Sequence, residues 1–203
     1  MKLNRYHIFA AIKVAFTLFA IILVPIYIIH YGICNLLWLS DISFIVTAIA
    51  LWFHTSLLMS IVCVILLPLE LMWNIGFFYQ LLTGHSIFGI GDYMFDSSVP
   101  LWLRNLSLFH VLLPPIWIWY LYAWGYNRQA FKYGLILYWI IIITTYLIVP
   151  PLENINWVFI PLERNWYWMP SWVWLMVMLV ALPIGVFLPT HLLYLRYCKV
   201  KRK

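Results

Sequence analysis

The sequence predicts an all-α membrane protein whose single domain, residues 1–203, is a bundle of six transmembrane helices. Three observations lead to this fold class. Of the 203 residues, 66% are hydrophobic and only 9% are charged, whereas a soluble domain carries about 25% charged residues. The mean hydropathy is high, at +0.96. Finally, the apolar residues fall into six separate runs, each close to the ~20 residues that a spanning helix needs.

The six predicted helices cover residues 8–31, 35–54, 57–79, 101–124, 130–149 and 171–195. The first run is too long for the apolar core of a signal peptide and lacks a clear small-residue cleavage site, so we expect a retained helix. The connections near 32–34, 55–56 and 125–129 are short, which predicts antiparallel neighbours. The longer connections, 80–100 and 150–170, contain Pro, Asn, Gly and aromatic residues. We expect both of them to cap the same face of the bundle.

Basic residues predict the orientation of the bundle. Nine of the 12 lysines and arginines fall at one predicted end, where the connections contain no acidic residue: Lys2, Arg5, Arg128, Lys132, Arg196, Lys199, Lys201, Arg202 and Lys203. Because cytoplasmic loops are enriched in Lys and Arg, we expect both termini to be cytoplasmic and the two long connections to face outward. The net charge of +6 is accordingly interpreted as a topology signal and as contact with anionic lipid, not as nucleic-acid binding.

Ionisable side chains lie inside the predicted helices at similar depths. At a rise of about 1.5 Å per residue, Asp41 lies roughly 9 Å below the outer surface, and Glu70 and His110 lie roughly 14 Å below it. A charged residue at mid-bilayer disfavours insertion by about 2.5–3.5 kcal/mol. We therefore expect these groups to face one another in a polar pocket that opens outward, near His30 at the outer end of the first helix.

Spacing along the helices supports this convergence. Side chains three or four residues apart share a helix face, so Arg104 lies on the same side as His110, and Glu70 lies on the same side as Asn74. Pro114 and Pro115, one turn after the histidine, are expected to bend the helix and free backbone carbonyl groups. Other interpretations remain open. The carboxyl groups could simply hold helices in register, and the arginine could snorkel or pair with a carboxylate of the 80–100 connection.

A nucleophilic mechanism needs a hydroxyl group and a base within hydrogen-bond reach. Ser40 could supply the hydroxyl and His110 the base, while a carboxylate orients the imidazole as the third member of a triad does. A nearby amide donor such as Asn74 or Asn105 could stabilise an oxyanion. The predicted catalytic residues are Ser40, His110, Asp41 and Glu70. The predicted substrate-binding residues are Asn74, Arg104, Asn105 and His30.

Other chemistries could use the same residues. A metal site could draw on the carboxylates and histidines, but no H-x-x-x-H or E-x-x-H spacing occurs on any predicted helix, so no metal is predicted. A proton or solute path could use them as relay groups, although no inverted repeat or Gly-broken helix pair is visible. A non-catalytic component of a membrane complex is a third class. No nucleotide-binding loop or other cofactor motif is present, and the three cysteines form no pair motif.

Three short motifs give the chain a family resemblance. They are "LSD" on the second helix, "LFHVLLPP" on the fourth, and "TTYLIVPPLENINWVF" after the fifth. Over about residues 30–160 the sequence resembles the six-helix superfamily of the androgen-induced intramembrane hydrolases of fatty-acid esters of hydroxy fatty acids. Related bacterial integral membrane proteins and a transmembrane phospholipid acyltransferase belong to the same superfamily.

The resemblance implies a catalytic dyad. That family uses a Thr or Cys on the second helix with a His on a later helix, and these positions fall on Ser40 and His110, with Ser as a departure from the family pattern. The resulting expectation is a lipid acyl-ester hydrolase or acyltransferase in the bacterial cytoplasmic membrane. Its expected partners are membrane lipids and not nucleic acid, and the sequence gives no oligomeric state.

Overall fold

The computed structural model describes residues 2–87, 89–161 and 168–201, so Glu163 and Arg164 lie outside the described residues. The structure is 79% helical, which confirms the all-α class. The helices are α1 (Lys2–Tyr31), α2 (Leu39–Phe53), α3 (Ser56–Thr83), α4 (Leu101–Leu106), α5 (Phe109–Trp124), α6 (Ala130–Ile148), α7 (Ser171–Leu182) and α8 (Leu188–Tyr197). Three 3-10 turns, at Ile33–Leu37, Asp92–Phe95 and Ile155–Trp157, and a π-helical turn at Pro183–Phe187 interrupt or connect them. Two-residue strands, β1 (Tyr126–Asn127) and β2 (Val200–Lys201), pair in parallel.

Five helical segments among the described residues are long and apolar enough to cross a membrane. They are His7–Tyr31, Ser56–Thr83, Leu101–Trp124, Ala130–Ile148 and Ser171–Tyr197. The predicted second helix, 35–54, differs from the expectation, because its start forms the Ile33–Leu37 turn and regular helix begins only at Leu39. Trp38 separates the two with ψ at 130°, outside the helical range. The remaining α2 has 15 residues and is a shorter apolar helix.

Two other predicted helices contain breaks. Residues 101–124 are divided into α4 and α5, because Ser107 and His110 donate their N–H groups to carbonyls only three residues back. The 171–195 helix contains the π-helical turn, which starts at Pro183. Proline has no N–H to donate, so it frees the carbonyl four residues earlier. Here that carbonyl, of Leu179, accepts a hydrogen bond of 3.0 Å from the indole of Trp139.

The core is arranged around α3, which packs on α2, α5 and α6. The apolar window of α3 is 61% buried, compared with 17% for α1, so α3 is the central helix. An indole–threonine hydrogen bond joins α5 to α2 inside this core: Trp117 Nε1 donates to Thr47 Oγ1 at 2.8 Å, and both residues are fully buried. A matching bond of 2.7 Å joins Trp52 to Thr17 at the surface.

The two ends of the bundle are built differently. At one end, which we call the cluster end, the Ile33–Leu37 turn packs on Ile155–Trp157, and Asp92–Phe95 packs on α3 and α4. At the opposite end, which we call the strand end, β1 and β2 join the α5–α6 connection to the segment after α8. The candidate site lies toward the cluster end.

Candidate functional site

A buried pair of side chains, Glu70 on α3 and His110 on α5, lies at the centre of the site. Oε2 of Glu70 and Nδ1 of His110 are 2.7 Å apart, and the two side chains are only 3% and 10% exposed. The imidazole is stacked between Trp73, with ring centroids 4.4 Å apart, and Phe109, at 4.2 Å. The ring is therefore held from both faces and at one nitrogen.

The other imidazole nitrogen is available. Among the described residues Nε2 has no hydrogen-bond partner, and it is not one of the fully buried polar atoms without a partner. A carboxylate beside Nδ1 favours the tautomer with its proton on that nitrogen, which leaves Nε2 as an acceptor. This arrangement can take up a proton from a water molecule or a hydroxyl group that reaches Nε2.

Asn74 joins the two helices that carry this pair. Its Nδ2 donates to the carbonyl of Glu70 at 2.7 Å and to the carbonyl of His110 at 2.8 Å. The second carbonyl is free because the residue four positions later is Pro114, which has no N–H; the sequence had indicated such freed carbonyls. Both amide protons of Asn74 are thus occupied by backbone groups, and none remains for the oxyanion role predicted for this residue.

Asp41 lies close to the pair. It is 3% exposed, accepts a hydrogen bond of 3.0 Å from Asn35 Nδ2, and interacts electrostatically with Glu70. The structure therefore brings together three of the four predicted catalytic residues, Asp41, Glu70 and His110.

Ser40, the fourth, is arranged differently. It is half-buried, and among the described residues its hydroxyl makes no hydrogen bond to His110. Side chains of successive helical residues point about 100° apart. Because α2 turns Asp41 into the bundle, the side chain of Ser40 points in a different direction. Its backbone carbonyl accepts a hydrogen bond of 2.7 Å from Ser43 Oγ.

Aromatic and hydroxyl side chains complete the site, and sequence reasoning did not identify them. The hydroxyls of Tyr27 and Ser107 are 2.7 Å apart, and both residues are buried. Tyr93, on the Asp92–Phe95 turn, is 37% exposed. Desolvation of its hydroxyl raises the pKa of Tyr93. Ser107 precedes His110 by three residues, a helical spacing that could have indicated it, whereas a loop residue such as Tyr93 carries no periodic signal.

The remaining predicted binding residues lie at the rim. Arg104 donates from Nη1 to the carbonyl of Met94 at 2.8 Å, which ties α4 to the Asp92–Phe95 turn. His30 is exposed, with its ring 5.3 Å from that of Trp102. Asn105 is also exposed, and among the described residues its side chain makes no hydrogen bond to the site. His30 and Asn105 are therefore not part of the buried cluster.

The expected pairing of Arg104 with a loop carboxylate is not formed. Among the described residues, the Glu70–His110 contact is the one side-chain contact between a carboxyl group and a basic group. Hydrogen bonds from Ser98, including its backbone N–H at 2.8 Å, hold the pKa of Asp96 below its ordinary value, and the charge of Arg104 adds to that effect. Within the same described part of the chain, no three His, Cys, Asp or Glu side chains are arranged to hold a metal ion.

These features define a class: an all-α protein with five apolar helices of membrane-spanning length and a buried carboxylate–histidine pair within the bundle. Comparison of the chain with family models, curated proteins and solved structures found no match.

Proposed function

We propose that this protein is a membrane-embedded lipid acyl-ester hydrolase or acyltransferase in which His110 is the general base and Glu70 orients it. The observation that carries this proposal is the 2.7 Å contact at Nδ1 together with the unpaired Nε2. Both residues lie on helices of spanning length, so a substrate that meets Nε2 would be a lipid of the bilayer. The proposal agrees with the family resemblance of the sequence.

The chemistry follows from the orientation of the imidazole. Nε2 takes a proton from the attacking hydroxyl as its oxygen adds to the ester carbonyl, and the proton then passes to the oxygen of the leaving alcohol. Glu70 at Nδ1 stabilises the positive charge that the ring gains. If Ser40 attacks, as the resemblance implies, its hydroxyl has to turn towards Nε2, the ester C–O bond breaks, and the resulting acyl-serine is cleaved by water in a hydrolase or by an acceptor alcohol in an acyltransferase. If water attacks, the same C–O bond breaks and the fatty acid is released directly.

The proposed topology has six spans, with both termini in the cytoplasm of a bacterium and the cluster end outward. The support for it is that nine of the 12 basic residues fall at the end of the chain's helices that the sequence predicts to be cytoplasmic. The support for counting α2 as the sixth span is its length. Its 15 residues extend about 22 Å, and the five residues of the Ile33–Leu37 turn add about 10 Å. Their sum is close to the ~30 Å of the hydrocarbon core.

The role of His110 as the base is tested by measuring how fast the purified protein in lipid nanodiscs cleaves membrane lipid esters. The products are followed by mass spectrometry. Because a positioned base contributes about 100- to 10,000-fold, His110→Asn and Glu70→Gln should each lower turnover at least 100-fold. The matched control is His191→Asn, since His191 has an equal 2.7 Å contact through Nδ1, with the hydroxyl of Tyr126 at the strand end. Unchanged turnover in His110→Asn would refute the proposal.

A fluorophosphonate probe distinguishes the two nucleophiles. If Ser40 attacks, the wild-type protein is labelled and Ser40→Ala is neither labelled nor active. If water attacks, Ser40→Ala keeps its turnover. A wild-type protein that cleaves no membrane lipid ester and takes no label would remove the enzyme proposal altogether.

A second candidate function is a proton-coupled carrier. The observation that favours it is that Asp41 lies close enough to Glu70 to interact with it electrostatically, while Glu70 is paired with His110, because such sets of ionisable groups occur in proton relays. Proton flux into proteoliposomes should then fall in Asp41→Asn and in Glu70→Gln. Flux equal to that of empty liposomes would exclude this function.

A further inference from the structure

The strand end carries a group of exposed cations that the proposed activity does not use. We call them the basic surface: Arg128, Lys132, Arg196 and Lys199, all exposed. The described acidic residues lie elsewhere: Asp41 is on α2, Glu70 is on α3, and the others are in the connections of the cluster end. None of them forms a salt bridge with these cations. The positive charge of this surface is therefore not compensated by the described part of the chain.

A backbone contact fixes the geometry of the basic surface. The N–H of Tyr126 donates to the carbonyl of Lys199 at 2.7 Å, and β1 and β2 continue the pairing. Gly125 makes this approach possible: its φ is +84°, and a Cβ there would lie 2.5 Å from the carbonyl oxygen of Lys199. Arg128 directly follows β1 and Lys199 directly precedes β2. The pairing therefore holds the backbone of both cations within one small region of the strand end.

Aromatic residues place the basic surface at the depth of lipid headgroups. Tyr133 and Tyr197 are exposed. The Nζ of Lys132 lies 5.9 Å from the centre of the Tyr133 ring, and the Cζ of Arg196 lies 5.4 Å from the centre of the Tyr197 ring. Exposed tyrosines beside lysines and arginines are typical of the boundary between hydrocarbon and water. An anion at that depth is a phospholipid phosphate.

We propose that the α5–α6 connection and the docked segment after α8 form a preorganised binding site for the headgroup of an anionic phospholipid. The strand pairing fixes the backbone that flanks Arg128 and Lys199 before the lipid arrives, so little backbone order is lost on binding. This site is independent of the chemistry proposed at His110.

Native mass spectrometry of the full chain in detergent, with phosphatidylglycerol or phosphatidylcholine of equal chain length, tests the proposal. The anionic lipid should bind more tightly, and added salt should weaken its binding. One cation near the surface is worth about 1 kcal/mol, so Arg128→Gln and Lys199→Gln should each weaken phosphatidylglycerol binding about fivefold. Binding of phosphatidylcholine should not change.

Gly125→Ala tests preorganisation without changing the charge. The added Cβ should displace the segment after α8 and weaken phosphatidylglycerol binding as much as the loss of one cation does. Gly185→Ala is the matched control, because a Cβ at Gly185 meets open space, and its binding should equal that of the wild type. If Gly125→Ala does not fold, Arg128→Gln and Lys199→Gln decide the matter. Equal binding of the two lipids, or wild-type binding in both charge variants, would overturn the proposal.

Discussion

The contact between Glu70 and His110 can be measured as a coupling free energy. The perturbation is a double-mutant cycle with Glu70→Gln, which keeps the shape and removes the charge, His110→Asn, and the double variant. Charge-assisted hydrogen bonds contribute about 1.5–3 kcal/mol, but cycles inside a membrane protein average about 0.6 and reach about 1.7 kcal/mol. The Nδ1 of His110 and the Oε2 of Glu70 are 2.7 Å apart in a buried site, and two aromatic rings stack on the imidazole. We therefore expect a coupling near the upper end, about 1.5 kcal/mol.

Reversible unfolding in mixed detergent micelles, followed by tryptophan fluorescence, supplies the four free energies of unfolding. Each single variant should lose about 1–3 kcal/mol, because it leaves a buried polar group without its partner. A second cycle provides the control, with Tyr126→Phe and His191→Asn. That pair also has a 2.7 Å contact at Nδ1, but it is neutral and only partly buried, so its coupling should stay near the ~0.6 kcal/mol average.

The comparison of the two cycles decides the interpretation. A larger coupling for Glu70 and His110 than for the control pair means that the carboxylate holds the imidazole. Equal couplings, or a value below about 0.5 kcal/mol for the buried pair, would refute the assignment of Glu70 as the orienting group, and the general-base proposal would lose its physical support.

Three further predictions use the same unfolding measurement or carboxyl NMR. Asn156→Ala should lower the free energy of unfolding by about 2–4 kcal/mol, because two backbone groups at the start of α2 lose their partners. Asn154→Ala should lower it less, because the hydrogen bonds of Asn154 stay inside its own loop. Equal losses would contradict this prediction. Thr47→Val removes the acceptor of the buried Trp117 bond and should lower the free energy of unfolding by about 1–3 kcal/mol. Thr17→Val removes the acceptor of the surface Trp52 bond and should lower it by less than about 1 kcal/mol. A larger loss in Thr17→Val would be inconsistent with this prediction. The pKa of Asp96 should be below its ordinary 3.8, so its contribution to folding is present at neutral pH and is lost as the pH falls through that lowered pKa; an NMR titration midpoint at or above 3.8 would exclude it.

Much of the site could be predicted because an α-helix has a fixed rise and a fixed angular step. Depth below the outer surface brought Glu70 on α3 to the level of His110 on α5, and the structure joins them. The proline at 114 indicated a freed carbonyl, and Asn74 occupies it. Both inferences needed only distances along a helix, which the sequence specifies.

Rotation about a helix axis could not be predicted in the same way. The helices are apolar on nearly every side, so hydrophobic periodicity does not show which face turns inward. Ser40 and Asp41 are neighbours, and only the packing of α2 on α3 decides that the aspartate is the buried one. Loop residues are beyond the reach of periodicity altogether, which is why Tyr93 and the break at Trp38 were not expected.

The polar side chains of this bundle fall into two groups. In a membrane every backbone N–H and C=O must find a partner inside the protein, so each break in a helix requires a polar side chain. Asn156 meets that need at the start of α2, where it pairs with the N–H of Leu39, and Asn74 meets it where a proline frees a carbonyl. Asp41, Glu70 and His110 are different.

Among the described residues, none of these three side chains bonds to a backbone group; each is paired with another side chain. The breaks in the helices would be satisfied without them, and apolar residues in their places would avoid the cost of buried ionisable groups. The architecture therefore accounts for the asparagines but not for the two carboxylates and the imidazole. The proposed acyl-ester chemistry would account for their presence, and Nε2 of His110, which has no partner among the described residues, is the atom at which it would act.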